Sequence, residues 1–552
     1  MPIEIEGDAT TARVMVDDES LVEDNALEQV RTLADHPAFT EPIRVMPDTH
    51  WGAGAPVGFT MPLPDAVVPN VVGVDVGCGM AATNLGSELP LDDATRERRV
   101  REAVPMGRAV HDYDDAVHLV DEFPFERANE AFEQFAARYR DRFDREIDPV
   151  GFDFDGYDGE YFQSLCDRVL AGRSSGTSHV IQSAGTLGGG NHFLEFARGR
   201  ESGDHWLVVH SGSRYLGLAV AEYWQERATR YRRADEIRES VPEEYERFLK
   251  FDLETVSDGD LFEWVTGGKG ESHIRKERLR TELDGRAIER AFETLGSLAP
   301  TGDDADDTDG DDADDTDGDD ADDTDGDDAD DTDGNDADGT DGDDADDTDG
   351  NDADGTDGDD ADDTDGDDAD DTDAFGDDLA ALYGREAHGY YVDMLFAQQY
   401  ARWNRSLISE AVCTVLGVEP VESFQSVHNY VDFADLTIRK GATPAREGQR
   451  LVIPFDMSEG SVIARGRGNE AYNETAPHGA GRRMGRREAH ETLSVDEFET
   501  AMEGVYSESV GDETLDEAPM AYKPAAAIRA ALTPTAEVVE RLDPVHNLKA
   551  TE

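Results

Sequence analysis

Nine consecutive octads of the form DDADDTDG run from Asp303 to Ala374, and everything that folds in this 552-residue chain has to be built from what flanks them. Two units, starting at Asn335 and Asn351, read NDADGTDG, and the last unit closes on Ala374 instead of Gly. The tract holds 41 acidic residues and no basic ones. Its only apolar side chain is alanine. It cannot bury enough apolar surface to offset the entropy of ordering it, and it lacks the larger apolar residue that stacks inside a calcium-binding β-helical repeat. The expectation is a disordered acidic insertion at 300–374, with loose cation binding as its only chemistry. The flanks are helix-like, as they would be around a repeat expanded within a loop.

Composition matters once the tract is set aside. The remaining 480 residues still carry 87 acidic against 49 basic side chains, so a net charge of −38 belongs to the part that folds; the whole chain reaches −79. Only six basic residues are Lys and 43 are Arg. Such a balance is tolerable where molar salt cuts the Debye length to about 3 Å. A halophile's cytoplasm is the expected home. Three cysteines, Cys78, Cys166 and Cys413, exclude a disulfide framework. No apolar run reaches the roughly 18 residues that span a bilayer, and the start MPIEIE has no secretory pattern. A cytosolic chain without a membrane partner is expected.

Periodicity gives a coarse layout. An amphipathic helix is expected at 20–36, and strands with tight turns across 43–76. Residues 90–175 and 218–298 read as mostly helical, 206–210 (WLVVH) and 451–455 (LVIPF) as buried strands, and 378–417 as helix. No Pro/Ser linker separates independent halves. The fold class is therefore α+β: one catalytic domain with a mixed β core and surrounding helices, its first part at 1–299 and its second at 375–552.

Four short segments each set a metal-type ligand beside glycine or other polar groups: Asp75 and Cys78 in GVDVGCGM, His192 in GGGNH, His210 in HSGSR, and His428 in VHNY. Asp, Cys and three His form a borderline-soft donor set that suits Mn, Fe, Co or Zn better than Mg or Ca. Each segment alone is a weak signal, because a lone His is more often a hydrogen-bonded structural residue than a ligand and a lone Cys is usually a small buried hydrophobe, and GGG lacks the spacing of a phosphate-cradling loop. A fifth segment, His478-Gly479-Ala480-Gly481-Arg482-Arg483, places an imidazole before small residues and an Arg cluster. That order suits phosphoryl chemistry, because imidazole is a competent nucleophile and Arg forks neutralise phosphate charge. From Arg439 to Arg487 ten basic residues face five acidic ones. The stretch is either a nucleic-acid contact or a partner for surplus carboxylates elsewhere.

Taken together, MPDTHWGAG (46–54), VGVDVGCGM (72–80), GTLGGGNHFLE (185–195), HSGSR (210–214), HNYV (428–431), RKGAT (439–443) and HGAGRRM (478–484) resemble the RtcB family of RNA-splicing ligases. The resemblance runs in order from about residue 43 to Lys549, with the octads as an insertion. It implies a GTP- and Mn²⁺-dependent ligase that joins RNA 3′-phosphate or 2′,3′-cyclic phosphate ends to 5′-hydroxyl ends, in tRNA splicing and RNA repair. By that resemblance Cys78 bridges two Mn²⁺ ions, Asp75 and His192 complete one site, and His210 with His428 complete the other. His478 is the nucleophile that carries GMP, and Asp48 supports catalysis. Asn191, His428, Asn429, Met457, Ser461, Gly479, Ala480, Gly481, Arg482 and Lys549 are the expected nucleotide contacts. The partners implied are RNA, such as tRNA halves or other broken RNA, and an archease-type activator. A monomer is expected.

The chain departs from the family at Phe455-Asp456-Met457-Ser458, where the family has Gly-Ser-Met-Gly, and at Tyr215-Leu216-Gly217-Leu218 after HSGSR. The first change keeps a second reading open: a relative limited to RNA end processing or guanylylation without efficient joining. A purely RNA-binding relative would have no use for a thiol, several imidazoles and a nucleophilic His together.

Overall fold

The apolar period that follows the octads becomes a 33-residue helix, Gly384–Leu416, ended by Gly417 in the left-handed region at φ 67°. This helix is buried on most sides because it is surrounded. Tyr391, Met394, Phe396 and Tyr400 join the main apolar cluster with Val67, Phe123 and Phe135 from the first part of the chain. Ile408, Val412 and Leu416 pack in its last turns on Leu194, Leu207 and Val209. The two parts share one core, so neither buries its apolar face alone. The computed structural model describes residues 2–16, 22–120, 122–149, 154–253, 255–256, 261, 273–296 and 376–550. The octads lie outside the described residues.

The strands are β1 Ile3–Glu6, β2 Thr11–Val14, β3 Ile43–Val45, β4 Phe59–Pro62, β5 Gly79–Gly86, β6 Phe193–Gly199, β7 His205–Ser211, β8 Glu422–Val427, β9 Asn429–Asp432, β10 Thr437–Lys440, β11 Ala442–Pro444, β12 Arg450–Pro454, β13 Ser461–Gly466, β14 Thr475–Pro477 and β15 Ala536–Leu548. They form a seven-stranded sheet in the order β12-β13-β15-β6-β7-β5-β8, a six-stranded sheet in the order β1-β2-β3-β4-β10-β9, and the pair β11-β14. The large sheet is antiparallel throughout. The smaller one contains the parallel pair β2-β3. This is the α+β architecture expected, and it weaves the two parts of the chain together: β8 pairs with β5, and β15 sits between β13 and β6.

The expected helix at 20–36 is Asp24–Asp35, WLVVH lies within β7, and LVIPF overlaps β12. Helices Asp93–Ala103 and Gly159–Val169 begin on Asp92 and Asp158, whose carboxylates accept from Thr95 N and Tyr161 N. The helical reading of 218–298 corresponds to Arg214–Ser240, Glu243–Glu246, Lys276–Glu282 and Gly285–Gly296 among the described residues. These segments gather a small apolar cluster of their own around Phe248, Leu249 and Leu279.

Candidate active site

Four adjacent strands of the large sheet deliver one side chain each to the same edge. Gly79 at the start of β5 pairs with Ser211 at the end of β7 and with Val427 at the end of β8. Phe193 at the start of β6 pairs with His210 of β7. Antiparallel neighbours bring starts and ends to a common edge. His192, His210, Cys78 and His428 therefore line up in the strand order β6-β7-β5-β8, although in sequence they are spread from residue 78 to residue 428. Gly79 leaves room for this, because a Cβ there would stand 2.6 Å from the Ser426 carbonyl oxygen.

The side chains converge. Cys78 Sγ lies 3.5 Å from His192 Nε2 and 3.1 Å from His210 Nε2. Asp75 Oδ2 is 3.3 Å from His192 Nε2, and His210 Nε2 is 3.2 Å from His428 Nε2. The ligand atoms of Cys78, His192 and His210 all fall within 4.8 Å of one another. Cys78 thus sits between an Asp75–His192 pair and a His210–His428 pair. Thiol, carboxylate and imidazole nitrogens aimed at one point are a donor set that fits divalent transition ions. Burial, reinforced by His192, lowers His210 to about 3, and burial with His478 and His210 drives His428 well below its ordinary value. Both imidazoles are neutral at pH 7, with lone pairs available to a cation. Burial pushes the Asp75 carboxyl up, but hydrogen bonds and charge from His192 outweigh it and hold the group at about 2.

His478 stands beside this cluster, its ring centroid 4.9 Å from that of His428. It follows β14, while Asp48 comes from the loop after β3 and is fully buried. Asp48 Oδ2 accepts from the His478 backbone N–H at 3.0 Å and lies 2.8 Å from Nδ1. An oxygen already accepting from the backbone favours a proton on Nδ1, which leaves the Nε2 lone pair free. Gly481 is required for this approach: its φ is +70°, and a Cβ there would meet the Asp48 carbonyl oxygen at 2.2 Å. His50 and Lys523 border the pair. Burial lowers the His50 imidazole to about 4, and Lys523 donates to the Thr49 carbonyl.

A cavity of about 600 Å³ opens over these groups. Asp75, Cys78, Asn191, His210, His428, Asn429, Met457, His478, Gly479, Ala480, Gly481, Arg482 and Lys549 line it. His192 and Asp48 stand behind the wall, touching Cys78 and His478. Ser461 also lies behind it, 3.5 Å from Glu195. Asn191 Oδ1 is buried with no partner among the described residues. Lys549 Nζ donates to Glu517 at 2.8 Å, and Arg482 reaches the same carboxylate at 3.3 Å. Burial pushes Glu517 up, but Lys549 and the arginines prevail and bring it to about 2.

Phe455 packs into an apolar cluster with Ile453, Val462 and Ile528. Asp456 Oδ1 accepts from Ser458 N, Ser458 Oγ and Glu459 N, so it caps its own turn while its side chain borders the cavity. Glu195 is a wall residue that sequence reasoning passed over. It is fully buried beside Asn547 and Ser461, and burial, with the nearby Asp456, raises it to about 8. The signal was present: Phe193 and Glu195 are two apart on β6 and so share a face.

A profile of the tRNA-splicing ligase RtcB family matches residues 29–256 and 371–550. The chain belongs to the RtcB family. RNA-splicing ligase RtcB of Escherichia coli K12 is 27% identical to it over 542 residues, covering 94% of this chain and 93% of that protein. RNA-splicing ligase RtcB1 of another Escherichia coli strain is 26% identical over the same coverage. The family match passes over 257–370, which contains all but the last four residues of the octads and the segments just before them.

Within this RtcB fold the basic stretch splits in two. Arg439 is buried against Asp432 at 2.9 Å and Asp435 at 2.8 Å, Arg446 joins the same carboxylates, and Arg450 pairs with Glu422 at 2.6 Å. Those arginines hold carboxylates of their own chain. Lys440, Arg482 and Arg486 line the cavity, where Arg482 and Arg486 also pair with Glu517 and Asp516. Among the described residues, no helix is long and apolar enough to cross a membrane.

Proposed function

We propose that this RtcB-family protein joins RNA 3′-phosphate or 2′,3′-cyclic phosphate ends to 5′-hydroxyl ends, through GMP carried on His478. The observation that supports it most is the meeting, at one sheet edge, of Cys78 with three imidazoles and of His478 with Asp48 beside them. Asp75, Cys78 and His192 would hold one divalent ion, and Cys78, His210 and His428 a second, with Mn²⁺ the ion the family resemblance implies. Such ions supply neutralisation of phosphate charge.

The protein's own groups carry the rest. Asp48 holds the proton on His478 Nδ1, and Nε2 attacks the α-phosphorus of GTP, releasing pyrophosphate. An oxygen of the RNA 3′-phosphate then attacks the same phosphorus and frees His478. The 5′-hydroxyl finally attacks the activated RNA phosphate, and GMP departs. A cyclic phosphate first needs water to open it to the 3′-phosphate. Splitting a hard displacement into covalent steps is the logic of nucleophilic catalysis. Arg482 and Lys549 face the phosphates and base of the nucleotide, and the buried Glu195 offers a carboxyl to the base edge. The RNA is expected to be tRNA halves or other broken RNA. Phe455 packs into the apolar cluster and also borders the cavity, so the substitution there reshapes the wall that the nucleotide would meet.

Incubating the protein with GTP, Mn²⁺ and RNA bearing 3′-phosphate and 5′-hydroxyl ends, in molar salt, tests this. Joined product that needs GTP supports the proposal. Guanylylated but unjoined RNA would favour the end-processing reading instead.

A further inference from the structure

Arg405 is fully buried, yet among the described residues no carboxylate lies within ion-pair distance of it. Burying a cation ordinarily demands an anionic partner. Here the guanidinium is held by three neutral acceptors. One nitrogen, Nη1, donates both its hydrogens to main-chain carbonyls: Gly77 O at 2.7 Å and Ser211 O at 2.7 Å. Nε donates to Gln425 Oε1 at 3.0 Å, and Nη2 has no partner among the described residues. Gly77 immediately precedes Cys78, Ser211 immediately follows His210, and Gln425 lies on β8 three residues before His428.

The preceding residue extends the pattern. Asn404 is also fully buried; its Oδ1 accepts from Gly185 N at 2.7 Å and its Nδ2 donates to Thr186 O at 3.2 Å and to Gly212 O at 3.3 Å. Two consecutive residues of one helix therefore tie together the segments that carry Cys78, His192, His210 and His428. The helix in which they sit is anchored at both ends in apolar clusters, so it is a rigid support.

We propose that Arg405 is a positioning residue of the metal centre: by gripping the Gly77 and Ser211 carbonyls with one nitrogen, it sets the spacing between Cys78 and His210 before any cation binds. The proposal rests on reading Cys78, His192, His210 and His428 as metal ligands. Burial lowers the guanidinium to about 10, with Cys78 and Asp75 opposing the drop, so it stays charged at neutral pH. A planar fork reaching three acceptors at fixed angles is something an ammonium does not reproduce.

The test compares Arg405→Met and Arg405→Lys with the unaltered full chain, using Co²⁺ titration read by the thiolate-to-cobalt charge-transfer band and Mn²⁺ binding by equilibrium dialysis. Circular dichroism reports the folded fraction. Both variants are expected to bind Mn²⁺ roughly 10- to 100-fold more weakly per folded molecule, the scale of losing a group that orients metal ligands, with a weakened cobalt band. Folded Arg405→Met that binds metal like the unaltered chain would overturn the proposal. So would Arg405→Lys with full affinity, since charge alone would then suffice. Should neither variant fold, Gln425→Ala removes only the third acceptor: weaker Mn²⁺ binding supports the proposal, and unchanged binding overturns it. An unaltered chain that binds neither ion would instead sink the metal reading itself.

Discussion

At the scale of single residues, burial governs the chemistry of the site. His210 and His428 are neutral because water is excluded from them, and neutrality is what a metal ligand needs. Glu195 is the counterpart elsewhere on the cavity wall. Its carboxyl is raised to about 8, against an ordinary value of 4.5. Between those values the folded chain holds a proton that the unfolded chain has released, so this group makes stability fall as pH rises from about 5 to about 8. Glu195→Gln should flatten that part of the curve, which urea unfolding across the range would show. A slope unchanged by the substitution would mean that Glu195 is ionised in the fold. His478→Ala should abolish GMP labelling and leave metal content intact, whereas His428→Ala should lose metal first. Metal analysis beside GTP labelling separates the two; His478→Ala losing metal would blur its role as nucleophile.

At the scale of elements, the sequence was legible where large apolar residues recur or run together. The helix Gly384–Leu416 stood out by the spacing of its large apolar residues, and β7 as an unbroken buried apolar run. β5 did not, because GMAATNLG is nearly all small residues, buried on both faces, and reads as a continuation of the Gly-rich turn. β15 was also missed: Pro544 lies inside it, and the pairing with β6 shifts register between Pro544 and His546. The metal-type residues were legible as motifs, but their meeting depends on antiparallel pairing across the octads, which no local pattern encodes. Asn404 and Arg405 were absorbed into a helical period and gave no sign of their contacts with four other segments. Gly481 gives an element-scale prediction. Gly481→Ala forces a left-handed alanine against the Asp48 carbonyl, which should destabilise the fold by about 1–3 kcal/mol and weaken joining by shifting Asp48 from His478. Unfolding midpoints and joining rates would both have to stay unchanged to contradict this.

At the scale of the whole molecule, the two parts of the chain share a core and a sheet, while all but the last four residues of the octads fall in the region that the family match passes over. The described flanks already have their own supports. Lys276–Glu282 and Gly285–Gly296 lie beside the small cluster around Phe248, and Asp377 is held by Arg233. We therefore propose that 303–374 is an insertion that contributes nothing to the site. Deleting it should leave folding and joining intact, because closure entropy changes only slowly with loop length. The shortened chain, with 41 fewer negative charges, should also need less salt to fold, since less self-repulsion has to be screened. Melting curves across a KCl series would show either outcome; a shortened chain that no longer folds would give the octads a structural role.

The central proposal is that His478, held by Asp48 beside the cluster of Cys78 and three imidazoles, takes GMP covalently. The most direct measurement is peptide mass spectrometry of the protein after reaction with GTP and Mn²⁺. The account predicts a GMP adduct on the peptide containing His478, absent from His478→Ala, and no corresponding AMP adduct when ATP replaces GTP. A GMP adduct on any other residue, or equal labelling by ATP, would contradict it.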